Sequence, residues 1–157
     1  MEIIKSPNKI LSTKSADIEQ IDQSVRDLAS AMYEMLSGVD GVGLAAPQIG
    51  QNIRLAVIGF EPTPAQLKKN PDLQNVPKIV LINPKITWQS KETTIEKEGC
   101  LSCGNTEIEV PRYKKVHIEH LDLDGKKCKI KARGYLARIM QHEIDHLEGK
   151  LITDYKK

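Results

Sequence analysis

The sequence predicts an α+β fold: antiparallel strands around a C-terminal metal-binding helix, with a long N-terminal helix. Three observations carry this expectation. Apolar residues recur at threes and fours from Ile18 to Leu36 and again from Tyr135 to Leu147, which is the period of a helix with one buried face. Short strand-like runs separated by turn signals lie between them. The second helical stretch also holds His142 and His146, four residues apart, with Glu143 beside the first.

Taken in order, the first helix is marked by Ile18, Ile21, Val25, Leu28, Met32 and Leu36. Ser15 is its expected N-cap and Gly38 its expected stop. The segment from Gly41 to Gly50 follows, dense in small residues that let backbone approach a ligand closely. It lacks the spacing and the preceding strand of a dinucleotide fold, and a plain tight loop is its other reading. A strand is expected at Arg54 to Ile58. The four prolines between Phe60 and Pro77 mark a surface loop with no assigned chemistry. Further short strands are expected at Ile79 to Ile82, Ile86 to Trp88, Val116 to Leu121 and Cys128 to Ala132. They are separated by Asn-Pro, Lys-Glu and Asp-Gly. The last helix, Tyr135 to Leu147, is set by Tyr135, Leu136, Ile139, Met140, Ile144 and Leu147.

A chain of 157 residues, 39% hydrophobic and 28% charged, suits one globular domain over residues 1–157. A net charge of +2 gives no global drive toward nucleic acid or membrane. Locally, Arg112 to Arg138 holds nine Lys or Arg against three Asp or Glu. Lysines that discourage strand-edge pairing are the ordinary meaning of such a run, and a polyanion contact is the alternative. Three irregularly spaced cysteines, with no signal peptide and no apolar run of membrane-spanning length, place the chain in a reducing cytoplasm.

Gln141-His142-Glu143-Ile144-Asp145-His146 contains H-E-x-x-H. On a helix this spacing puts both imidazoles on one face, where they can grip one metal ion, with Glu143 in reach of a water. Tyr135 and Ile139 share that face and would form an apolar wall beside it. A third ligand is needed. The downstream histidine of many metalloproteases is replaced here by Ile152, so, Asp154 aside, the candidates are Cys100, Cys103, Cys128, His117 and His120. Asp145, three positions beyond His142, is either solvated or turned inward, where it needs a partner for which Arg112 is the candidate.

Glu98-Gly99-Cys100-Leu101-Ser102 is the stretch that completes a pattern. Together with Gly41 to Gln48 (G-x-G-x-A-A-x-Q) and Gln141 to His146, in that order, it resembles the peptide deformylases over almost the whole chain. The resemblance implies removal of the formyl group from the N-terminal formyl-methionine of nascent polypeptides. It implies one divalent metal, Fe²⁺ first, with Zn²⁺, Ni²⁺ or Co²⁺ also compatible, held by Cys100, His142 and His146. By the same resemblance Glu143 is the general base and acid, and Gln48 and the Leu101 N–H are the oxyanion donors. Val42, Gly43 and Gly99 would grip substrate backbone, and Tyr135 and Ile139 would wall the methionine pocket.

Two departures stand out. Where the family commonly has an aliphatic residue and a proline, this chain has Cys103-Gly104. It also ends at Lys157, without the extension through which some members dock on the ribosome, so ribosome contact is expected to be transient at most. A monomer is expected. An H-E-x-x-H metalloprotease lacks its downstream ligand here. A structural zinc module closed by Cys103 would not require Glu143 or Gln48, and an inactive relative would be expected to have lost Glu143 or a ligand, none of which is missing.

Overall fold

The computed structural model describes residues 1–156. Its helices are α1 (Gln23–Ser37), the short α2 (Pro64–Lys69) and α3 (Gly134–Leu147). Its strands are β1 (Gly43–Ala45), β2 (Leu55–Phe60), β3 (Val76–Gln89), β4 (Thr93–Glu98), β5 (Ile108–Tyr113), β6 (Lys115–Leu121) and β7 (Lys127–Arg133). Five strands form an antiparallel sheet in the order β1-β2-β3-β6-β7, and β4 pairs with β5 in a separate hairpin.

The β1-β2 end of the five-stranded sheet and the start of β3 are buried on both faces because these strands alternate between two cores, whereas β6 and β7 leave one face exposed. Ala56, Ile58, Leu81, Val116 and Ile118 meet Ala137, Met140, Ile144 and Leu147 of α3. On the other face Leu44, Leu55, Val57 and Ile82 meet Val25, Ala29, Met32 and Leu36 of α1. Helix α3 is thereby pinned along its length, so its remaining side chains project in fixed directions toward the hairpin and β1.

Helix α1 starts later than expected. Asp22, not Ser15, is its N-cap, accepting from the Val25 N–H at 3.2 Å. Residues before it are drawn into extended tertiary pairings: Ser15 N–H goes to the Leu147 carbonyl, Ala16 bridges to Ile53, and the Asn83 side chain bonds both N–H and C=O of Ile18. Ile18 and Ile21 still pack on the α1 core, which extends the apolar periodicity beyond the helix. Gly38 is the C-cap as expected.

The Asn83-Pro84 pair does not divide two strands. It is a bulge within the single strand β3, with Asn83 at φ 49° and a register shift between Ile82 and Lys85. The expected loop over residues 60–77 contains α2, capped by Thr63 and Gln66, and gives way to β3 at Val76. β4 carries few apolar residues, and it and β5 are defined by their mutual pairing, from Thr93 opposite Tyr113 to Glu98 opposite Ile108.

Candidate metal centre

Gly134, at φ 62°, turns the chain from β7 into α3, and four helical turns follow on the buried face of the sheet. One turn apart on that helix, His142 and His146 bring their Nε2 atoms to 3.2 Å from each other. Cys100, just after β4, places Sγ 3.4 Å from His146 Nε2. The three donor atoms lie within 4.8 Å of one another, and they are the metal-capable cluster among the described residues. His117 instead stacks on Trp88, His120 faces the Leu121 carbonyl, and Cys128 lies beside Asp122. Cys103 is outside the cluster.

The cluster suits a cation. Tetrahedral ligands with metal–nitrogen bonds of ~2.0–2.1 Å and metal–sulfur bonds of ~2.3 Å stand roughly 3.3–3.6 Å apart, close to the separations seen. Two Nε2 atoms face each other with the Cys100 sulfur alongside, and hydrogen bonds among the three cannot satisfy them all. Electrostatics agree. Burial opposes a charged His142, yet its partners Cys100 and Glu98 draw it up to about 10. Burial and then the neighbouring His142 push His146 well below the usual imidazole range. Positive charge is thus favoured between thiol and carboxylate, beside a second imidazole held neutral.

Glu98 holds the arrangement from behind, a role that the sequence reading missed. Its carboxylate can only accept, so His142 Nδ1–H donates to Oε1 at 2.9 Å, which leaves Nε2 as the ring atom facing the cluster. Arg112 donates to both Glu98 oxygens at 2.9 and 2.8 Å, and Arg138 donates to Oε2 at 2.5 Å. Burial would raise the Glu98 carboxyl, but hydrogen bonds from Arg112 and His142 hold it at about 2. Arg112 also reaches Asp145 at 2.5 Å, which Tyr155 OH meets at 2.7 Å. The expected Arg112–Asp145 pair is therefore present, and it ties the hairpin to α3.

Glu143 is 3% exposed, and burial raises its carboxyl to about 7 against the pull of His142 and Arg112. Its Oε2 has no hydrogen-bond partner among the described residues. Gly43 makes room for this side chain: a Cβ there would stand 2.5 Å from Glu143 Oε1. Gln48 is oriented by the Ala45 N–H, which donates to its Oε1 at 2.9 Å. Its Nε2 then points to Ser102 Oγ at 3.2 Å and Cys100 Sγ at 3.8 Å.

These groups share a cleft of about 910 Å³. Val42, Gly43, Gln48, Gly99, Cys100, Leu101, Tyr135, Ile139, His142 and Glu143 all line it, and His146 lies behind them at 1% exposure. β1, at the edge of the sheet, bounds one side, while the segment after β4 bounds the other. Tyr135 is 40% exposed and Ile139 is buried, so the apolar wall is closed at depth and open at the mouth. Burial, then the adjacent Cys100, push the Cys103 thiol up to about 12, unlike a ligand thiol, which must lose its proton.

Comparison with known proteins gives one answer. The family model of polypeptide deformylase matches residues 1–157. A peptide deformylase of Dictyoglomus thermophilum is 42% identical over 153 residues, covering 98% of this chain and 90% of that protein. The structure of peptide deformylase from Ehrlichia chaffeensis in complex with actinonin superposes at TM-score 0.89 with 36% identity, covering 100% of this chain and 88% of that one. A probable peptide deformylase from synechococcus phage S-SSM7 gives TM-score 0.85 at 38% identity, with 99% of each chain covered. The chain belongs to the polypeptide deformylase family, metal-dependent hydrolases that remove the formyl group from nascent polypeptides.

Proposed function

We propose that Cys100, His142 and His146 hold one divalent metal, and that Glu143, Gln48 and the Leu101 N–H carry out the family's deformylation around it. The observation that supports this most is the convergence of one thiol and two imidazole nitrogens in the floor of a cleft, with a buried carboxyl alongside. Fe²⁺ is the proposed native ion. A thiolate beside two imidazoles also accommodates Zn²⁺, Ni²⁺ or Co²⁺. When bound, such an ion supplies Lewis acidity, lowering the pKa of a water from ~15.7 toward ~7.

The protein's own groups do the rest. Formamide resonance protects the carbonyl, so attack by water needs a base, and the tetrahedral oxyanion needs donors. Glu143, near neutrality at about 7, accepts the proton as water adds to the formyl carbon. It returns that proton to the departing amine nitrogen as the C–N bond breaks and formate leaves. Gln48 Nε2 and the Leu101 N–H donate to the oxyanion, each such donor being worth roughly 3 to 4 kcal/mol. The Ala45 bond to Gln48 Oε1 fixes the amide so that its N–H₂ faces inward.

Substrate backbone lies between Val42 and Gly43, at the start of β1, and Gly99, while Tyr135 and Ile139 flank the methionine side chain. The Val42 carbonyl is taken by the Gly59 N–H at 2.9 Å, so Val42 contributes from its other backbone group. The substrates are nascent N-formylmethionyl polypeptides. Residues 1–157 act as one monomeric catalytic domain in the cytoplasm, with transient ribosome contact. No helix of the described chain is long and apolar enough to cross a membrane.

The test compares formate release from formyl-Met-Ala-Ser with peptide-bond cleavage of the unformylated peptide, using anaerobically prepared Fe²⁺ enzyme. Formate without peptide cleavage is expected. Peptide cleavage without formate would replace this reading with a metalloprotease.

A further inference from the structure

Cys103 has no part in the proposed reaction, yet it is built into the same turn as a proposed ligand. Cys100-Leu101-Ser102-Cys103 forms one 3-10 turn, closed by the Cys103 N–H donating to the Cys100 carbonyl at 3.0 Å. A turn of this type brings its end Cα atoms within about 7 Å, the upper bound of the ~4.4–6.8 Å that a disulfide spans. Cys103 packs on the small apolar cluster of Cys100, Val110 and Ile152. Gly104 follows at φ 64°, with nothing within 4 Å of where a Cβ would be. Cys128, on β7, lies outside this cluster.

We infer that Cys100 and Cys103 are an oxidisable pair, in which hydrogen peroxide converts the proposed metal ligand into a reversible Cys100–Cys103 disulfide. This rests on Cys100 as a ligand. The Cys100 sulfur attacks one peroxide oxygen, an S–O bond forms, the O–O bond breaks, and hydroxide departs and is protonated to water. The Cys103 sulfur then attacks the Cys100 sulfur. The S–S bond forms, the S–O bond breaks, and the Cys103 proton leaves with the hydroxyl as a second water. Two thiols lose two electrons in all, and one peroxide is reduced to two waters. The disulfide removes one of three ligands, so each event releases the metal. A dithiol reductant reverses it, whereas a Cys100 without this neighbour continues to sulfinic and sulfonic acids, which such a reductant does not restore.

The test uses Zn²⁺-loaded enzyme, in which the metal itself is not oxidised, titrated with hydrogen peroxide. Intact mass, peptide mapping and released zinc are read for wild type, Cys103→Ser and Cys103→Val, the second variant guarding against a serine that disturbs the turn. Wild type should lose two hydrogens, show a Cys100–Cys103 cross-link, release one zinc per cross-link, and recover its thiols and zinc binding with dithiothreitol. Both variants should instead gain two or three oxygens on Cys100, with at least about tenfold less recovery. Equal sulfinic acid in wild type and variants, or a cross-link to Cys128, would overturn the inference. Mass and cross-link do not depend on formate release. A cross-link that forms without releasing zinc would count against Cys100 as a ligand, and so against the proposed centre rather than the thiol pair.

Discussion

Replacing Glu98 by Gln tests whether the carboxylate behind His142 organises the centre. Oε1 accepts from Arg112 Nη2 and His142 Nδ1, and Oε2 accepts from Arg112 Nε and Arg138 Nη1. An amide keeps one of these oxygens and turns the other into an N–H₂ group facing two donors. At least two charge-assisted hydrogen bonds are lost, each worth ~1.5–3 kcal/mol, and two guanidiniums that are 4% and 7% exposed lose their shared anion. Both routes give a destabilisation of roughly 3–5 kcal/mol, the range for breaking a buried ion pair. For a chain of this length each kcal/mol moves Tm by ~2–4 °C, so a fall of about 10 °C is expected. Metal affinity should drop ~10–100-fold, because His142 loses the partner that fixes its tautomer. Circular dichroism melting and chelator competition measure the two effects. A Tm within about 2 °C of wild type, together with unchanged metal affinity, would refute the reasoning.

Three other outcomes follow from particular contacts. Gly43→Ala would set a Cβ 2.5 Å from the Glu143 carboxylate, so formate release should fall at least about tenfold, the low side of what misplacing a catalytic group costs. The melt should stay near wild type, and normal turnover would show that Glu143 tolerates displacement. Arg112→Ala removes the guanidinium shared by Glu98 and Asp145, so both metal affinity and Tm should drop. Unchanged values would mean that hairpin and helix are tied elsewhere. Asp22→Ala removes the α1 cap and should cost ~1 kcal/mol in urea unfolding without changing formate release; an equal loss of activity would tie the distant helix to the site.

Helix α3 was legible because periodicity, motif and burial coincide there: the residues that pack on the sheet alternate with those that face the cleft. Helix α1 was legible except at its start, where Asn83, sixty-five positions away, holds Ile18 in extended form, and no local pattern announces that contact. β4 escaped because Thr93–Glu98 carries one strongly apolar residue and depends on its partner strand for its conformation, and in β5 the Pro111-Arg112 pair breaks the alternation begun by Ile108 and Val110. Spacing alone left five candidates for the third ligand, since a cysteine forty-two positions before the first histidine is as plausible as a nearer one until the fold closes. Glu98 sits within a motif whose pattern assigns it no role. Its charge makes sense only with Arg112, Arg138 and His142 around it, contacts that span fourteen, forty and forty-four positions.

The most direct test of the centre is Glu143→Gln, assayed without oxygen for metal content and formate release on the same preparation. The amide cannot accept a proton from water, yet it preserves the size of a side chain that is not itself a proposed ligand. Metal content near one ion per chain, with formate release lower by at least about a hundredfold, is the expected result. Near-normal formate release at full metal content would take Glu143 out of the reaction and contradict the account.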